Sequence, residues 1–520
     1  MDSNPELELA DALVRDTGAS VFLTGRAGTG KTTFLRHLRR SCPKRMVVTA
    51  PTGVAAINAG GVTLHSFFQL DFAPFVPGVV RPRSAYRFNR EKLNVIRSLD
   101  LLVIDEISMV RADLLDAVDD ALRFCRRSSA PFGGVQLLLI GDLCQLAPVV
   151  KESEMALLRE HYPTPFFFDS QALKQVDYAC VELRQVYRQT DDRFLAILNA
   201  IRDGRADEAL LAELNRRYLP GYEPEEGCVV LTTHNAGAQK INRERLAALP
   251  GRAMRYRAEV SGDFPEYAFP TDAMLELKIG AQVMFVKNDS SPAKRWYNGK
   301  LGRVTALNAD GVEVTCDDDD APLTVAPERW ANMKYALNPE TLELAEEEAG
   351  AFSQLPLKTA WAITVHKSQG LTFDRAVIDA SLSFAHGQVY VALSRCRTLE
   401  GLVLAKPLPP AAIIRSGEVS DYLRFAAEHQ LSPADLAALR RDYFAKALFA
   451  QFSFVELRSR FLWVARRLSE DFARLYPELA RRFEDMAAPL QEEVVAVGER
   501  FPAQLRRLLA AVPDPGLNPA

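Results

Sequence analysis

Several features that mark other protein classes are missing from this sequence. It has no run of about 18 consecutive apolar residues, so we expect no membrane-spanning helix and no membrane partner. The first nine residues, Met1 to Leu9, carry acidic side chains and contain neither a basic stretch nor an apolar one. That pattern predicts no signal peptide and a cytoplasmic location. The seven cysteines are scattered and never form a CxxC pair, which excludes the usual zinc and iron–sulfur spacings and predicts reduced thiols.

An excess of positive charge is missing as well. Lys and Arg together number 63 against 67 for Asp and Glu, which gives a formal net charge of -4. A uniformly basic coat of the histone kind is therefore excluded. A local basic groove is not, because net charge says nothing about how the charges are distributed.

The sequence does have the composition of a large globular protein. Of its 520 residues, 48% are hydrophobic and 25% are charged. Its length predicts three or four structural units. Short apolar runs alternate with helix-like segments near the start of the chain, which is typical of an α/β fold with a buried parallel sheet. We interpret four of these runs as strands: 21–24, 46–50, 101–104 and 135–140.

A glycine-rich loop follows the first of these strands. Its sequence, Gly-Arg-Ala-Gly-Thr-Gly-Lys-Thr, matches GxxxxGK[ST] and precedes a predicted helix. Glycines let backbone N–H groups curl around phosphates at the positive end of a helix. We therefore expect ATP here, with Lys31 at the β- and γ-phosphates and the Thr32 hydroxyl on Mg²⁺; the alternative is a chance glycine-rich turn. The residues that we assign to this cradle are Gly25, Gly28, Thr29, Gly30, Lys31, Thr32 and Thr33.

Polar residues also follow the third and fourth strands. The strand at 101–104 delivers Asp105 and Glu106. We predict that Asp105 holds Mg²⁺ and that Glu106 is the general base for the attacking water. An Asp-Glu pair at a strand end is also a common way to start a helix. Gln145, after the fourth strand, could sense a γ-phosphate or could be an ordinary turn residue.

Two arginines of the second alternating region could complete such a site. Arg188 and Arg395 lie at polar ends of apolar segments. An arginine supplied across a domain cleft stabilises transition-state charge and couples hydrolysis to closure. The alternative for either arginine is a surface ion pair.

Taken in order, these motifs resemble a known family. The chain is similar to superfamily 1 DNA helicases of the Pif type, the 5′-to-3′ group with RecD-like and Dda-like relatives. The stretch at 114–149 resembles the signature of the Pif type. The matching blocks are the phosphate loop and 49–56, 63–67, 103–109, 131–134, 141–149, 187–189, 298–300, 364–370 and 390–397.

The resemblance implies a fold and an activity. The fold would be α/β, with two RecA-like P-loop motor domains and small inserted subdomains. The activity would be ATP-dependent 5′-to-3′ unwinding of duplex or forked DNA by a monomer that moves on single-stranded DNA. The implied units are 1–177 with a wedge-like insertion at 70–94, 178–254 with 355–410, and a β-barrel-like insertion at 255–354. The stretch at 411–520 lies outside the resemblance, and its richness in Leu, Ala, Arg and Glu predicts a C-terminal helical extension. That extension could pack on the motor domains, or protein partners or DNA could bind through it.

The resemblance also implies which residues touch DNA. Hydroxyls, backbone amides and a lysine can hold phosphates without reading sequence, and Phe67 could stack on a base. For either Phe67 or Phe68, core packing is the alternative. Gly370 is assigned to the nucleotide. The implied DNA contacts are Pro51, Thr52, Gly53, His65, Phe67, Asn298, Lys300, Thr364, His366 and Lys367.

Two positions depart from the family pattern. Glu8 stands where the family often has a glutamine that reads adenine, and a carboxylate cannot donate to the ring nitrogen. Ala147 replaces a proline.

Two further functions stay open at this point. One is a translocase subunit of a larger recombination or nuclease assembly; no nuclease-like carboxylate cluster is visible in the sequence, so cleavage would belong to the partner. The other is a P-loop ATPase that does not act on nucleic acid.

Overall fold

The computed structural model describes residues 4–79, 88–187, 191–225, 227–289, 291, 294–316, 319, 321–338, 341, 343–380, 383, 385–428 and 430–510. They form two compact units. The first comprises the chain up to Ala10 together with Ser20–Gln430, and the second comprises Asp11–Ala19 together with the chain from Leu431 onward. Within these ranges, no helix combines the length and the apolar character needed to cross a membrane.

A six-stranded parallel sheet organises the beginning of the first unit. Its strands are β1 (Ser20–Gly25), β2 (Met46–Ala50), β3 (Val62–Thr63), β4 (Leu101–Ile104), β5 (Gln136–Ile140) and β6 (Tyr178–Leu183). They lie in the order β3-β2-β4-β5-β1-β6. Every residue of β1, β4 and β5 is buried, which explains why these strands are continuous apolar runs.

Among the residues described here, seven α-helices accompany this sheet in sequence. They are α1 (Pro5–Asp16), α2 (Lys31–Ser41), α3 (Gly53–Ala59), α4 (Leu64–Phe68), α5 (Arg90–Ser98), α6 (Ala112–Arg126) and α7 (Glu152–Arg159). The apolar side of α6 packs into the large core that covers one face of the sheet. Of the predicted wedge at 70–94, residues 80–87 lie outside the described part of the chain.

The last strand of this sheet corrects one predicted boundary. All six residues of β6 pair in parallel with β1. Tyr178 to Leu183 therefore belong to the first sheet, although we had assigned residue 178 to the start of the second motor domain. The reason is topological, because an apolar run does not reveal which strand it will pair with.

The second motor domain begins after β6, and an antiparallel insertion follows its first elements. These first elements are α8 (Asp192–Arg202), α9 (Glu208–Asn215), β7 (Val229–Thr232) and α10 (Asn235–Ala248). The insertion consists of β8 (Met254–Arg257), β9 (Glu259–Gly262), β10 (Met274–Leu277), β11 (Gln282–Phe285), β12 (Leu301–Asn308), β13 (Gly311–Thr315), β14 (Leu323–Val325), β15 (Glu328–Leu337), β16 (Leu344–Gln354) and β17 (Leu357–Thr359). Its strands form sheets in the orders β10-β8, β14-β13-β12-β11-β17 and β15-β16-β9.

The long hairpin β15–β16 reaches back to the first sheet. The Tyr335 hydroxyl accepts a hydrogen bond from Val48 N at 3.1 Å. Arg39 donates to Glu346 at 2.6 Å. The insertion is therefore hydrogen-bonded to β2 of the first sheet and to α2, although it belongs in sequence to the second motor domain.

After the insertion the chain completes a second parallel sheet. Its remaining elements are β18 (Ala362–Thr364), β19 (Ala376–Asp379), α11 (Gln388–Leu393) and β20 (Leu402–Leu404), and the strand order is β18-β7-β19-β20. A further helix, α12 (Gly417–Glu428), packs Val419 into the core of the first sheet. The expected α/β fold with two RecA-like motors is confirmed.

The second unit is helical, as expected for the extension. It contains α13 (Pro433–Gln451), α14 (Val455–Arg467), α15 (Pro477–Pro489) and α16 (Ala496–Ala510). Ser432 and Asp435 form a reciprocal capping box at the start of α13. Ring pairs join the helices, with Phe452 on Phe501 at 4.3 Å and Phe461 on Phe483 at 5.2 Å.

Candidate active site

The glycine-rich loop connects β1 to α2. Gly28 and Gly30 have φ angles of 82° and 91°, in the left-handed region that favours glycine. At Gly25 (φ 146°), a Cβ atom would lie 2.6 Å from the Leu183 carbonyl oxygen. Thr32 and Thr33 are exposed in the first turn of α2. The loop therefore has the shape of a phosphate cradle at a helix N-terminus.

Lys31 lies among acidic groups inside this cradle. Its Nζ donates to the carbonyl oxygens of Gly25 at 2.6 Å and Arg26 at 3.0 Å. Burial lowers the pKa of its ammonium group, while the negative charge of Asp142 and Glu106 opposes that shift. The two hydrogen-bond acceptors of Lys31 are carbonyl oxygens of the loop itself. The ammonium group is therefore already positioned where a phosphate would bind.

Asp105 and Glu106 leave β4 at the same edge of the sheet. Burial raises the pKa of Asp105 to about 6; burial and the neighbouring charge of Asp105 raise that of Glu106 to about 7. Glu106 adopts a left-handed conformation with φ 53°. Carboxylates and the Thr32 hydroxyl are the hard oxygen ligands that Mg²⁺ prefers, and a cation would stabilise two such buried carboxylates as anions. The residues present thus fit the metal.

The loop after β5 is held by an ion pair that our sequence analysis missed. Asp142 is 1% exposed and accepts hydrogen bonds from Cys144 N and Gln145 Nε2, both at 3.1 Å. Arg202, at the end of α8, donates to it at 3.3 Å. Burial opposes ionisation of Asp142, but Arg202 and Lys31 hold its pKa below the ordinary value.

The second sheet meets the same loop through a glycine. A Cβ atom at Gly387, just before α11, would lie 1.7 Å from the Gln145 carbonyl oxygen. Only glycine permits this approach. Gln145 is therefore enclosed between the two sheets, as a γ-phosphate sensor would be.

Two further residues of the second sheet lie near Glu106. Gln369 Nε2 donates to Glu106 Oε2 at 2.7 Å. Arg395 is 1% exposed and donates to carbonyl oxygens that include Val391 at 2.9 Å. Its positive charge lowers the pKa of Glu106, against the larger effect of burial. Arg188 lies outside the described residues.

The residue before Arg188 contacts the phosphate loop directly. Tyr187 N donates to the Gly28 carbonyl oxygen at 2.9 Å, and Tyr187 as a whole is 54% exposed. Asn4 Nδ2 donates to the Tyr187 hydroxyl at 3.4 Å. Glu8 is exposed on α1. The side chain from this region that reaches Tyr187 is therefore Asn4, which the sequence did not single out.

The predicted DNA contacts of the first sheet lie after two neighbouring strands. Ala50 in β2 pairs with Thr63 in β3, so the helices that follow start side by side. Pro51, Thr52 and Gly53 form the turn into α3, where the Thr52 hydroxyl accepts from Ala55 N at 3.2 Å.

His65 lies in α4, beside that turn. Its ring stacks on Phe72 with centroids 4.8 Å apart. Burial and the charge of Arg111 lower the pKa of His65, which favours the neutral ring.

The remaining predicted DNA contacts belong to the second sheet and the insertion. Thr364 ends β18, and its hydroxyl accepts from Lys367 N at 3.4 Å. Burial lowers the pKa of His366. Gly370 has φ 82°, in the left-handed region that favours glycine. Asn298 Nδ2 lies 3.5 Å from Oδ1 of Asn58 in α3.

Two predicted DNA contacts are corrected. Phe67 is 1% exposed, with the Lys92 ammonium 3.9 Å from its ring centroid, so it is a core residue and offers no stacking face. Lys300 is 7% exposed, and its ammonium group bonds both carboxylate oxygens of Asp319, at 2.7 and 2.8 Å. It therefore stabilises the insertion and does not present a charge at the surface.

Comparisons with known proteins agree with this geometry. Residues 7–210 match a family model described as PIF1-like helicase, and residues 435–520 match one described as DNA helicase, middle domain. The human ATP-dependent DNA helicase PIF1 is 38% identical over 404 residues, 74% of this chain and 58% of that protein. The chain thus spans less than two thirds of that relative's length. The ATP-dependent DNA helicase Pif1 of Bdellovibrio bacteriovorus is 31% identical over 82% of this chain and 92% of that protein.

A solved structure gives the same result. Bacteroides Pif1 in complex with ADP-AlF4 matches with a TM-score of 0.76 and 40% identity, over 82% of this chain and 98% of that one. The same protein bound to single-stranded DNA matches with a TM-score of 0.61 over 83% of this chain. The chain therefore belongs to the PIF1-like helicase family.

Proposed function

We propose that this protein is an ATP-driven helicase that moves 5′ to 3′ on single-stranded DNA and separates duplex or forked DNA. One observation carries the proposal. The segment from Thr364 to Gly370 supplies three predicted DNA contacts and also hydrogen-bonds the candidate general base Glu106 through Gln369. A single short segment thus joins the candidate nucleotide site to the candidate DNA surface.

At the nucleotide, each residue has a distinct role in this proposal. The loop glycines, with Gly370, surround the phosphates, and Lys31 neutralises the β- and γ-phosphates. Thr32 and Asp105 would hold Mg²⁺, which when bound stabilises negative charge on the phosphates. Glu106 accepts a proton from water, and Gln145 senses the γ-phosphate. Arg395 stabilises charge near Glu106, and Arg188 is proposed for the same task.

At the DNA, the proposal relies on contacts to the backbone. Thr52, Thr364 and Lys367 offer hydroxyl, amide and ammonium donors, which hold phosphates without reading sequence. Pro51, Gly53, His65, His366 and Asn298 complete the surface. The relatives support this assignment, because one solved structure is of Bacteroides Pif1 bound to single-stranded DNA, and another describes DNA unwinding at forked duplex DNA by two coordinating Pif1 helicases.

The remaining parts of the proposal concern organisation. In this proposal the first motor domain ends with β6. The second motor domain is made of the chain before and after the antiparallel insertion. Residues 70–94 form the wedge. We propose a monomer in the cytoplasm, since scattered cysteines without CxxC pairs suit a reducing compartment. The extension is proposed as a surface for protein partners.

Unwinding of tailed duplexes tests the proposal. The full chain should separate a duplex with only a 5′ tail in the presence of ATP and Mg²⁺, and should leave one with only a 3′ tail intact. Lys31→Ala should abolish both hydrolysis and unwinding while retaining the fold by circular dichroism. Unwinding of the 3′-tailed duplex alone would contradict the proposed 5′-to-3′ polarity. A rate of ATP hydrolysis that does not change when DNA is added would contradict the proposed helicase activity.

A further inference from the structure

A tyrosine of the second motor domain contacts the phosphate loop of the first. Tyr390 lies in α11, and its hydroxyl oxygen accepts a hydrogen bond from Ala27 N at 3.4 Å. Ala27 belongs to the glycine-rich sequence between β1 and α2, whose backbone N–H groups form the candidate phosphate cradle. One N–H group of this cradle is therefore directed at a side chain from the other motor domain.

Packing holds the Tyr390 side chain in this position. All six residues of α11 are buried, and Tyr390 itself is 5% exposed. It belongs to the hydrophobic core around the second sheet, which also includes Phe194 and Ile197 of α8. The ring therefore has a fixed place in that core, and its hydroxyl group projects from the core to the phosphate loop.

The hydroxyl group still has a proton to donate. A tyrosine hydroxyl can accept one hydrogen bond and donate another, and the bond from Ala27 N uses only its acceptor capacity. Within the described part of the chain, the Tyr390 hydroxyl has no protein acceptor for its proton. Burial raises the pKa of Tyr390, and the negative charge of Asp142 raises it further, so the proton stays on the oxygen at neutral pH. A buried donor without an acceptor is rare in folded proteins, and it indicates a ligand that accepts the bond.

The position of Tyr390 favours the terminal phosphate of a nucleotide as that acceptor. α11 begins after Gly387, whose close approach to the Gln145 carbonyl oxygen places the start of the helix beside the candidate γ-phosphate sensor. Tyr390 follows three residues later, almost one helical turn, and so lies on the same side of α11. Lys31, assigned to the β- and γ-phosphates, lies in the same loop as Ala27. The hydroxyl proton is therefore offered at the γ-phosphate end of the cradle.

We propose that Tyr390 is a phosphate-binding residue that the second motor domain supplies to the first, and that its hydroxyl donates a hydrogen bond to the terminal phosphate of ATP. The inference rests on the proposed function and deepens its nucleotide side. The bond from Ala27 N polarises the hydroxyl and makes it a stronger donor, and a charged acceptor strengthens the bond further. ADP lacks the terminal phosphate, so Tyr390 distinguishes ATP from ADP. Because the donor and the cradle come from different motor domains, this contact joins the two domains while ATP is bound.

Nucleotide binding by the full chain tests this inference, with isothermal titration calorimetry of AMP-PNP and of ADP in the presence of Mg²⁺. Tyr390→Phe removes the hydroxyl and keeps the ring in the core. Its affinity for AMP-PNP should fall about 10- to 150-fold, as expected for the loss of a hydrogen bond to a charged group. Its affinity for ADP should remain that of the wild type.

A second buried tyrosine provides the matched control. Tyr256 is 8% exposed in the antiparallel insertion, and its hydroxyl donates to the Asn308 carbonyl oxygen at 3.0 Å. Tyr256→Phe therefore also removes a buried, hydrogen-bonded hydroxyl, but at a position remote in sequence from the phosphate loop. It should leave both nucleotide affinities unchanged.

The ratio of the two affinities separates a phosphate contact from a purely structural one. A hydroxyl that only ties α11 to the phosphate loop would, when removed, weaken AMP-PNP and ADP by the same factor or weaken neither. Either result in Tyr390→Phe would overturn the inference, and in a wild type that binds both nucleotides and unwinds DNA it would overturn the inference alone. A wild-type chain that binds neither nucleotide would overturn the proposed function as well.

Discussion

The candidate nucleotide site and the proposed DNA surface are built on opposite principles. Asp142 and Arg395 are almost completely buried, as is the side chain of Arg202, and each is hydrogen-bonded. On the proposed DNA surface, Thr52 is exposed. Charge-stabilising chemistry benefits from a dry, fixed arrangement, whereas a strand that slides needs contacts that form and break in water. We therefore expect substitutions in the nucleotide site to reduce ATP hydrolysis or stability strongly, and substitutions on the proposed DNA surface to reduce DNA affinity modestly.

The largest effect is expected on the buried side, from Glu106→Gln. The substitution conserves shape but removes the group that accepts a proton, so ATP hydrolysis should fall about 10²- to 10⁴-fold. ATP binding should persist, because the phosphate loop is untouched. Steady-state hydrolysis and nucleotide titration would measure the two separately. Glu428→Gln, an exposed site on α12, should change neither; equal loss of binding and hydrolysis in Glu106→Gln would argue for collapse of the site.

A smaller but still large effect is expected from Arg202→Met. Removing one partner of a buried pair takes away the largest charge that compensates Asp142, which costs about 3–5 kcal/mol of unfolding free energy. Urea unfolding would measure this loss. Adding Asp142→Asn should recover part of it, because the carboxylate that has lost its arginine partner is then replaced by a neutral amide. The matched control is Arg193→Met, whose exposed ion pair with Glu213 should contribute little; equal losses from both arginines would contradict the comparison.

The smallest effect is expected on the exposed side, from Thr52→Ala. The hydroxyl caps α3, and loss of an N-cap costs about 1 kcal/mol. Binding of oligo(dT) should weaken modestly, with ATP affinity unchanged. Thr52→Ser keeps the cap and should match the wild type. If Thr52→Ser bound oligo(dT) as weakly as Thr52→Ala, the methyl group of Thr52, and not its hydroxyl, would be responsible for the loss of affinity.

How far the sequence predicts this site depends on the range of the interactions. The phosphate loop and the Asp105-Glu106 pair are local patterns, in which glycine spacing and a strand end determine the geometry. Arg202 could not be predicted in the same way, because it acquires its role by meeting Asp142, 60 residues away in sequence.

The wrong predictions have the same origin. Phe67 and Lys300 are residue types that bind DNA, but their burial depends on partners that no short motif records. Strand β6 carries a readable apolar run, yet its pairing with β1 is a property of the whole sheet. The fold class was predictable because periodicity reports strands and helices. The order of strands and the exposure of single side chains were not.

We propose that the segment from Thr364 to Gly370 couples nucleotide binding to DNA binding, and thermodynamic linkage between the two ligands tests this coupling directly. In the wild type, saturating AMP-PNP with Mg²⁺ should change the affinity for oligo(dT), by about 5- to 150-fold if the coupling is of ordinary size. Oligo(dT) should change the AMP-PNP affinity by the same factor. Gln369→Ala, which removes the hydrogen bond to Glu106, should bring both factors close to one, while Gln175→Ala, at an exposed position, should leave them intact. If both affinity changes in Gln369→Ala were as large as in the wild type, the proposed coupling through this segment would be contradicted.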